Sequence, residues 1–350
     1  MLMLQYFPML SLAPGDVSEI VVVLIGRVGD LIVGGPFLRA LRKRYPDARI
    51  KLVVSRLCIE TAPLLPFIDH FEVMHRLHWI GRILMTAQGL FTGPCDLAVD
   101  LNPSFSRTST LLMALLHGAP VRLGFKKGRW DSVFTDQIDA PGVAEHMLDR
   151  YARLAASLGL EYEPRLEVAL SRENEELADA LLEDLGAANG RRRVLVHPGN
   201  FKKFENRWPE DKFVALTNKL LNDRSLELIY MAGPGEQQPV AKMVSLLRRP
   251  VKILPPAPLG AVGAVMRRMD LCVMNITGTT HLAGALDAPT FGLYTGYTDA
   301  VWRLRGPRHF GVVSKDWESC RGIPVDEALS GVERALASLA AEKKNTGASR

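Results

Sequence analysis

No stretch of this chain approaches the roughly 18 consecutive apolar residues that cross a bilayer, so any membrane association is expected to be peripheral. Residues Met1 to Gly15 are apolar, but they lack a basic leader and are interrupted by Pro8 and Pro14, so they read as a tail and not as a signal peptide. Cysteine is scarce: Cys58, Cys95, Cys272 and Cys320 are scattered with no CxxC pair and no histidine at ligand spacing. That argues against a zinc site and against a disulfide framework, and it fits a reducing cytoplasm. A three-glycine dinucleotide fingerprint is also missing, which disfavours a nicotinamide dehydrogenase. The basic residues are dispersed and no recognition module is evident, which disfavours a nucleic-acid binder.

What is present describes an ordinary globular protein of more than one domain: 350 residues, 47% hydrophobic and 23% charged. The formal charge of +5 favours anionic partners such as phosphates or acidic glycolipids without choosing among them. Short β-branched runs ending in Gly, Pro, Asn or Asp alternate with segments of helical period, the pattern of repeated βα units and parallel sheets. In the first half the expected strands are Ile20 to Ile25, Ile50 to Val54, Phe71 to Met74, Leu97 to Leu101 and Val121 to Phe125, with helices at Leu31 to Tyr45 and Ser104 to His117.

Beyond Leu160 the pattern weakens, and a charged helix (Arg172 to Leu185) runs into the breaker-rich Gly186 to Arg193, where the boundary is placed. A second set of strands follows at Val194 to Pro198, Leu226 to Ala232, Val251 to Leu254, Leu271 to Asn275, Thr290 to Thr295 and Phe310 to Val313. The expected plan is a tail (1–17), a first Rossmann-like domain (18–170), a linker region (171–193), a second Rossmann-like domain (194–324) and an amphipathic final helix (325–350). Two doubly wound halves imply a cleft, because ligands of open α/β sheets sit outside the carboxyl ends of the strands.

Four strand-end loops carry chemistry. The first, Gly26-Arg27-Val28-Gly29-Asp30, follows a strand and precedes a helix, where glycines permit close backbone approach and a helix start favours an anion. Asp30 is either a helix cap or a carboxylate able to take a proton from an attacking hydroxyl. The second, His197 to Pro209, places Lys202, Lys203 and Arg207 beside Gly199 and Asn200; it is either a phosphate grip or a solvated basic loop, and Trp208-Pro209 has the form of a helix-entry staple. The third, Ala232 to Glu236, offers an acid that either faces a helix dipole or binds ribose hydroxyls. The fourth, Asn275 to Ala283, combines Thr277, Gly278, Thr279 and Thr280 at a helix start, a ready diphosphate cradle, with His281 either structural or a donor to a leaving phosphate.

Taken in this order, the segments IVVVLIGRVGDLIVGGPFLRALRKRYPDARIKLVV, VLVHPGNFKKFENRWPEDKF, AGPGE and NITGTTHLAGALDAPTFGLYTG resemble glycosyltransferase family 9, the ADP-heptose:lipopolysaccharide heptosyltransferases, over about residues 18 to 315. The resemblance implies a GT-B fold of two Rossmann-like domains facing across a cleft, with the last helix crossing back onto the first. It also implies a cytoplasmic inverting transferase that moves a heptose from a nucleoside-diphosphate donor, ADP-heptose, to a saccharide such as the lipopolysaccharide inner core, at the inner face of the membrane if bound there at all.

By the same likeness Asp30 is the catalytic base, Glu236 a nucleoside-binding acid, and Thr277 to His281 the diphosphate site, with Gly29, Gly199, Asn200, Lys203 and Arg207 also toward the donor. The chain contains no DxD motif, in keeping with a leaving group stabilised without metal or cofactor. Two departures stand out: Ile276 replaces the usual Asp of the Asn-Asp-Thr/Ser-Gly turn, and Asn206 replaces the usual Lys two positions before Trp, so Arg207 or Lys203 is expected to supply that charge. The alternative that Ile276 motivates is a non-catalytic or altered-donor sugar-nucleotide-binding paralogue. The acceptor is expected on the first half at Asn102, Arg107 and Arg122, with Arg76, Arg82 and the stretch Arg122 to Arg129 as further cations for an acidic saccharide or glycolipid; each of these is otherwise a solvated surface charge.

Overall fold

The computed structural model describes residues 12–74, 95–186, 190–199 and 207–347, and divides the chain into two compact units, 1–169 and 170–350. In the first unit six parallel strands lie in the order β3-β2-β1-β4-β5-β6: β1 (Glu19–Leu24), β2 (Arg49–Ser55), β3 (His70–Met74), β4 (Leu97–Asp100), β5 (Val121–Phe125) and β6 (Asp136–Ile138). Around them pack α1 (Val28–Arg44), α2 (Arg107–Leu115) and α3 (Met147–Ser157). The β1 run Glu-Ile-Val-Val-Val-Leu is buried throughout, as a central parallel strand covered on both faces must be. At its amino end Lys51 donates to Glu19 at 2.6 Å, so one buried charge on β2 is neutralised by its neighbour on β1.

The second unit repeats the arrangement as β12-β11-β10-β7-β8-β9, built from β7 (Arg192–His197), β8 (Leu226–Met231), β9 (Lys252–Leu254), β10 (Leu271–Asn275), β11 (Thr290–Tyr294) and β12 (His309–Val313). Its helices are α4 (Arg172–Asp184), α5 (Glu210–Leu220), α6 (Gln237–Ser245), α7 (Leu259–Arg267), α8 (Gly278–Ala285), α9 (Gly296–Trp302) and α10 (Val325–Gly347). Side-chain alternation divides the strands between two cores. Val194, Val196, Leu228, Tyr230 and Val273 enter the cluster under α5 and α10, while Leu195, Ile229, Met231, Cys272 and Met274 enter the one under α4 and α7.

Each sheet has the doubly wound order in which the first and fourth strands lie side by side with connections leaving in opposite directions, the switch point where such folds bind ligands. In the first unit this point lies between β1 and β4, and in the second between β7 and β10.

Within residues 171–193, α4 packs on α7 and Arg268 clamps Glu175 and Asp179 at 2.7 Å each, and the division between the units falls before α4. The final helix belongs to the second unit, because Ala328, Val332, Ala335, Leu336 and Leu339 form one apolar stripe seated in that unit's core. In the first unit β6 and α3 are elements the sequence pattern did not single out. Among the described residues no helix is long and apolar enough to cross a membrane.

Candidate active site

At the switch point of the first unit the chain leaves β1 and turns at once into α1. Asp30 is the third residue of that helix, half-buried, and its Oδ2 accepts the Arg27 amide at 2.7 Å. The carboxylate thus closes a capping box across the helix start, with Arg27 and not Asp30 at the cap position. Gly26 makes this possible: a Cβ there would lie 2.7 Å from the Cβ of Asp30. Gly29 is buried at the second position of α1. The Ser55 hydroxyl donates to the Gly26 carbonyl and ties the end of β2 to the same turn.

The far side of this point is built by β4. Asn102 is buried; its Oδ1 accepts the Ile25 amide at 3.1 Å, and its Nδ2 donates to the Val23 carbonyl at 3.3 Å and to Asp100 Oδ1 at 2.6 Å. An amide so fully used positions the β1 turn, which gives Asn102 a bracing role. Asp100 is itself paired with Lys127 at 2.5 Å, both side chains fully buried, an ion pair whose rupture costs about 3–5 kcal/mol. Tyr151 on α3 is fully buried near these carboxylates, and burial together with the Asp30 charge holds its phenol well above the usual range.

Arg122 also bonds within the fold. Its guanidinium donates to the carbonyls of Val133, His117 and Ala119 at 2.7, 2.9 and 2.8 Å, clamping backbone near the start of β5, at the opposite end of the sheet from Asp30. Arg107 opens α2 and is exposed beside a cavity of about 550 Å³ that Phe105, Thr108, Leu111, Arg129 and Trp130 also line. Arg76 and Arg82 lie outside the described residues.

In the second unit, β7 ends in His197, a buried ring whose Nδ1 lies 3.2 Å from the Met231 carbonyl. A carbonyl only accepts, so Nδ1 carries the proton and Nε2 is left as an acceptor in the neutral ring. Burial lowers the His197 pKa from its ordinary value, against the opposing pull of the Glu236 charge and the Met231 carbonyl. Gly199 is needed here, because a Cβ would stand 2.5 Å from His197 Nε2 and 3.3 Å from Glu236 Oε2. Glu236 caps α6, and its Oε2 accepts the Gly233 amide at 2.8 Å.

Asn275 closes the switch point from β10. Its Oδ1 accepts the Trp208 amide at 2.9 Å and its Nδ2 donates to the Pro198 carbonyl at 2.8 Å. Trp208 is fully buried, packs edge-on against Phe213 at 5.0 Å and donates its indole N–H to the Ile323 carbonyl at 3.0 Å, the expected staple at the entry to α5. Arg207 is buried with its guanidinium 2.8 Å from Glu210, so part of its donor capacity is held within the first turn of α5. Asn200 and Lys203 lie outside the described residues.

Thr277 is the cap of α8. Its amide donates to Thr280 Oγ1 at 3.1 Å, its hydroxyl meets that of Thr279 at 2.7 Å, and the Thr280 hydroxyl reaches the Asn275 carbonyl at 3.2 Å. Thr280 is therefore fully buried and shapes the turn, whereas Thr277, Gly278 and Thr279 are half-buried at a helix start whose first amides have no partner within the helix. His281 is buried with its ring 5.5 Å from that of Trp302.

Both switch points are braced by buried side chains that the composition of the loops does not single out. His197, Asn275 and the Asp100–Lys127 pair had one available signal, their places at or just after the ends of buried β-runs. The partner of Lys127 comes from the end of the neighbouring strand β4, 27 positions back, and could not be read from spacing.

The sequence model of glycosyltransferase family 9 (heptosyltransferase) matches residues 84–323. Over 296 residues the chain is 22% identical to the lipopolysaccharide core heptosyltransferase OpsX of Haemophilus influenzae, covering 82% of this chain and 81% of that one. Among solved structures it resembles a family 9 glycosyl transferase from Veillonella parvula (TM-score 0.79, 19% identity, 91% and 97% of the two chains). It also resembles the ADP-heptose lps heptosyltransferase II of Escherichia coli (TM-score 0.75, 19% identity, 91% and 98%). With the family model covering more than half its length and two Rossmann-like units of the GT-B class, this chain belongs to glycosyltransferase family 9 and is a glycosyltransferase.

Proposed function

We propose that this protein is an inverting heptosyltransferase that takes ADP-heptose, or a closely related nucleoside-diphosphate sugar, and transfers the sugar to a saccharide of the lipopolysaccharide inner core. The observation that carries the reading is Asp30: a half-exposed carboxylate fixed at the ligand-binding end of the first sheet, where a general base is required.

In the proposed reaction the acceptor hydroxyl gives its proton to Asp30 as its oxygen bonds to the anomeric carbon. The bond from that carbon to the diphosphate oxygen breaks with inversion, and its electron pair leaves with ADP. Charge growing on the departing diphosphate is met by the first amides of α8, the hydroxyls of Thr277 and Thr279, and the cations Arg207 and Lys203, the electrostatic term that is usually largest in such catalysis. Glu236 binds the ribose, and neutral His197 backs it. Ile276, where the family usually has Asp, shifts the fit for the donor sugar without touching this charge stabilisation.

Calorimetry with ADP-heptose and a panel of other nucleotide sugars, run beside an assay of ADP release with a deacylated inner-core acceptor, tests the reading. Saturable binding of ADP-heptose with acceptor-dependent ADP release is expected. Tight binding without release on any acceptor would instead support a sugar-nucleotide-binding paralogue.

A further inference from the structure

We propose that the basic depression at the amino ends of β7, β8 and β9 is a binding site for a phosphomonoester, carried by a soluble molecule or by a lipid headgroup. The site lies within the second unit, at the end of the sheet away from His197, Glu236 and Thr277. The six residues of β7, about 20 Å of strand, separate Arg191 from the turn at Pro198. It therefore stands or falls independently of the transferase reading.

Three turns of the chain meet here. Arg191 immediately precedes β7, Arg224 stands two positions before β8 and Arg249 three positions before β9. Because these strands are parallel neighbours, their starts share one edge of the sheet. The three arginines line one cavity of about 250 Å³ together with Lys252, Asp223 and Glu227. That volume is below the roughly 300–1,000 Å³ of drug-sized ligand sites and suits a single headgroup-sized anion.

The backbone under these side chains is held. Asp223 Oδ1 accepts the Ser225 amide at 2.8 Å and the Ser225 hydroxyl at 2.7 Å, and the Arg192 amide donates to the Ser225 carbonyl at 2.9 Å. The Arg248 amide donates to Asn218 Oδ1 at 2.8 Å and fixes the turn before β9. Both carboxylates of the cavity are already matched: Lys252 lies 2.6 Å from Glu227, and Arg192 lies 3.1 Å from Asp223. Arg191, Arg224 and Arg249 are left with no carboxylate partner among the described residues. Like charges gathered on one small concavity repel each other, and a bound anion removes that cost. A phosphomonoester brings a charge of about −1.5 to −2 and three acceptor oxygens, enough for three guanidinium forks. A phosphodiester has one charge and two free oxygens, so the monoester is the better match.

Calorimetric titration of the full-length protein with inorganic phosphate and glycerol 3-phosphate tests this, beside sedimentation with phosphatidylcholine vesicles containing either phosphatidic acid or phosphatidylglycerol. Saturable binding of the soluble anions identifies a free ligand, and sedimentation with phosphatidic acid vesicles alone identifies a lipid headgroup. Either result supports the site when Arg191→Gln/Arg224→Gln/Arg249→Gln abolishes it. Arg249→Gln alone should weaken binding about tenfold. Arg248→Gln removes an exposed neighbouring cation that does not line the cavity and should leave binding unchanged. The triple variant breaks no ion pair among the described residues, so its melting temperature should stay within about 2 °C, which separates lost binding from lost folding. Undiminished binding by the triple variant would place the anion elsewhere and overturn the proposal. An equal loss in Arg248→Gln, equal sedimentation with phosphatidylglycerol vesicles, or no binding in either arm would overturn it as well.

Discussion

The two units use the same brace to different ends. In the first, Asn102 reaches 77 positions back to the turn after β1; in the second, Asn275 reaches 77 positions back to the turn after β7. Each buried amide joins the fourth strand of its sheet to the first and holds the switch point open. What the two turns present differs. The first presents a carboxylate, Asp30, with a buried Asp100–Lys127 pair behind it; the second presents amides and hydroxyls at the start of α8, with a neutral histidine behind Glu236. One topology thus presents a carboxylate at one switch point and amides and hydroxyls at the other, and on the proposed function these serve as base and anion cradle.

The sharpest way to break this contrast is Asp30→Asn. It preserves the shape of the first turn but removes the base, so turnover should fall roughly 100-fold to 10,000-fold in an ADP-release assay while ADP affinity by calorimetry stays unchanged. Unaltered turnover would remove Asp30 from the chemistry.

Gly199→Ala attacks the other turn. Its Cβ would stand 2.5 Å from His197 Nε2, and the resulting displacement should cost about 1–3 kcal/mol of stability in urea unfolding and weaken ADP binding more than tenfold. Wild-type ADP affinity in this variant would show that the loop after β7 is not part of the donor site.

Replacing the two braces compares the units directly. Asn102→Ala and Asn275→Ala should each cost about 1–3 kcal/mol, since both leave buried backbone groups unsatisfied. Their functional effects should separate: Asn275→Ala should raise the ADP dissociation constant, and Asn102→Ala should lower turnover at saturating donor. Identical kinetic phenotypes would dissolve the distinction.

The smallest effect is a pH dependence. His197 has a folded pKa below its unfolded value of about 6.5, so the unfolded chain binds the extra proton first; stability is full above that value and declines as pH falls below it, by at most about 1.4 kcal/mol per unit. His309, also lowered by burial, acts in the same direction. Urea midpoints measured between pH 7.5 and 5.5 should fall, and His197→Gln should flatten the slope; an unchanged slope would mean that His197 does not resist protonation.

Most of the architecture was legible because parallel strands buried on both faces read as near-continuous apolar runs, and β1 and β8 are such runs. The strand β6 escaped notice because Asp-Gln-Ile carries little apolar signal; it is a short edge strand recruited by pairing with β5. The site divides along the same line. Asp30, Glu236 and Thr277 sit in loops whose composition announces them. Asn102, Arg122 and Thr280 look alike in sequence but are consumed by hydrogen bonds to distant or neighbouring backbone, which no local pattern reveals. The apolar stripe of α10 likewise declares that it packs, but not on which elements.

That placement matters while the protein is being made. Because Val332, Ala335 and Leu339 complete the core over Phe291 and Leu293, the second unit has an uncovered apolar sheet face until α10 has been made and has docked. The strands and helices of the first unit all precede residue 170, so that sheet draws its cover from its own stretch of chain.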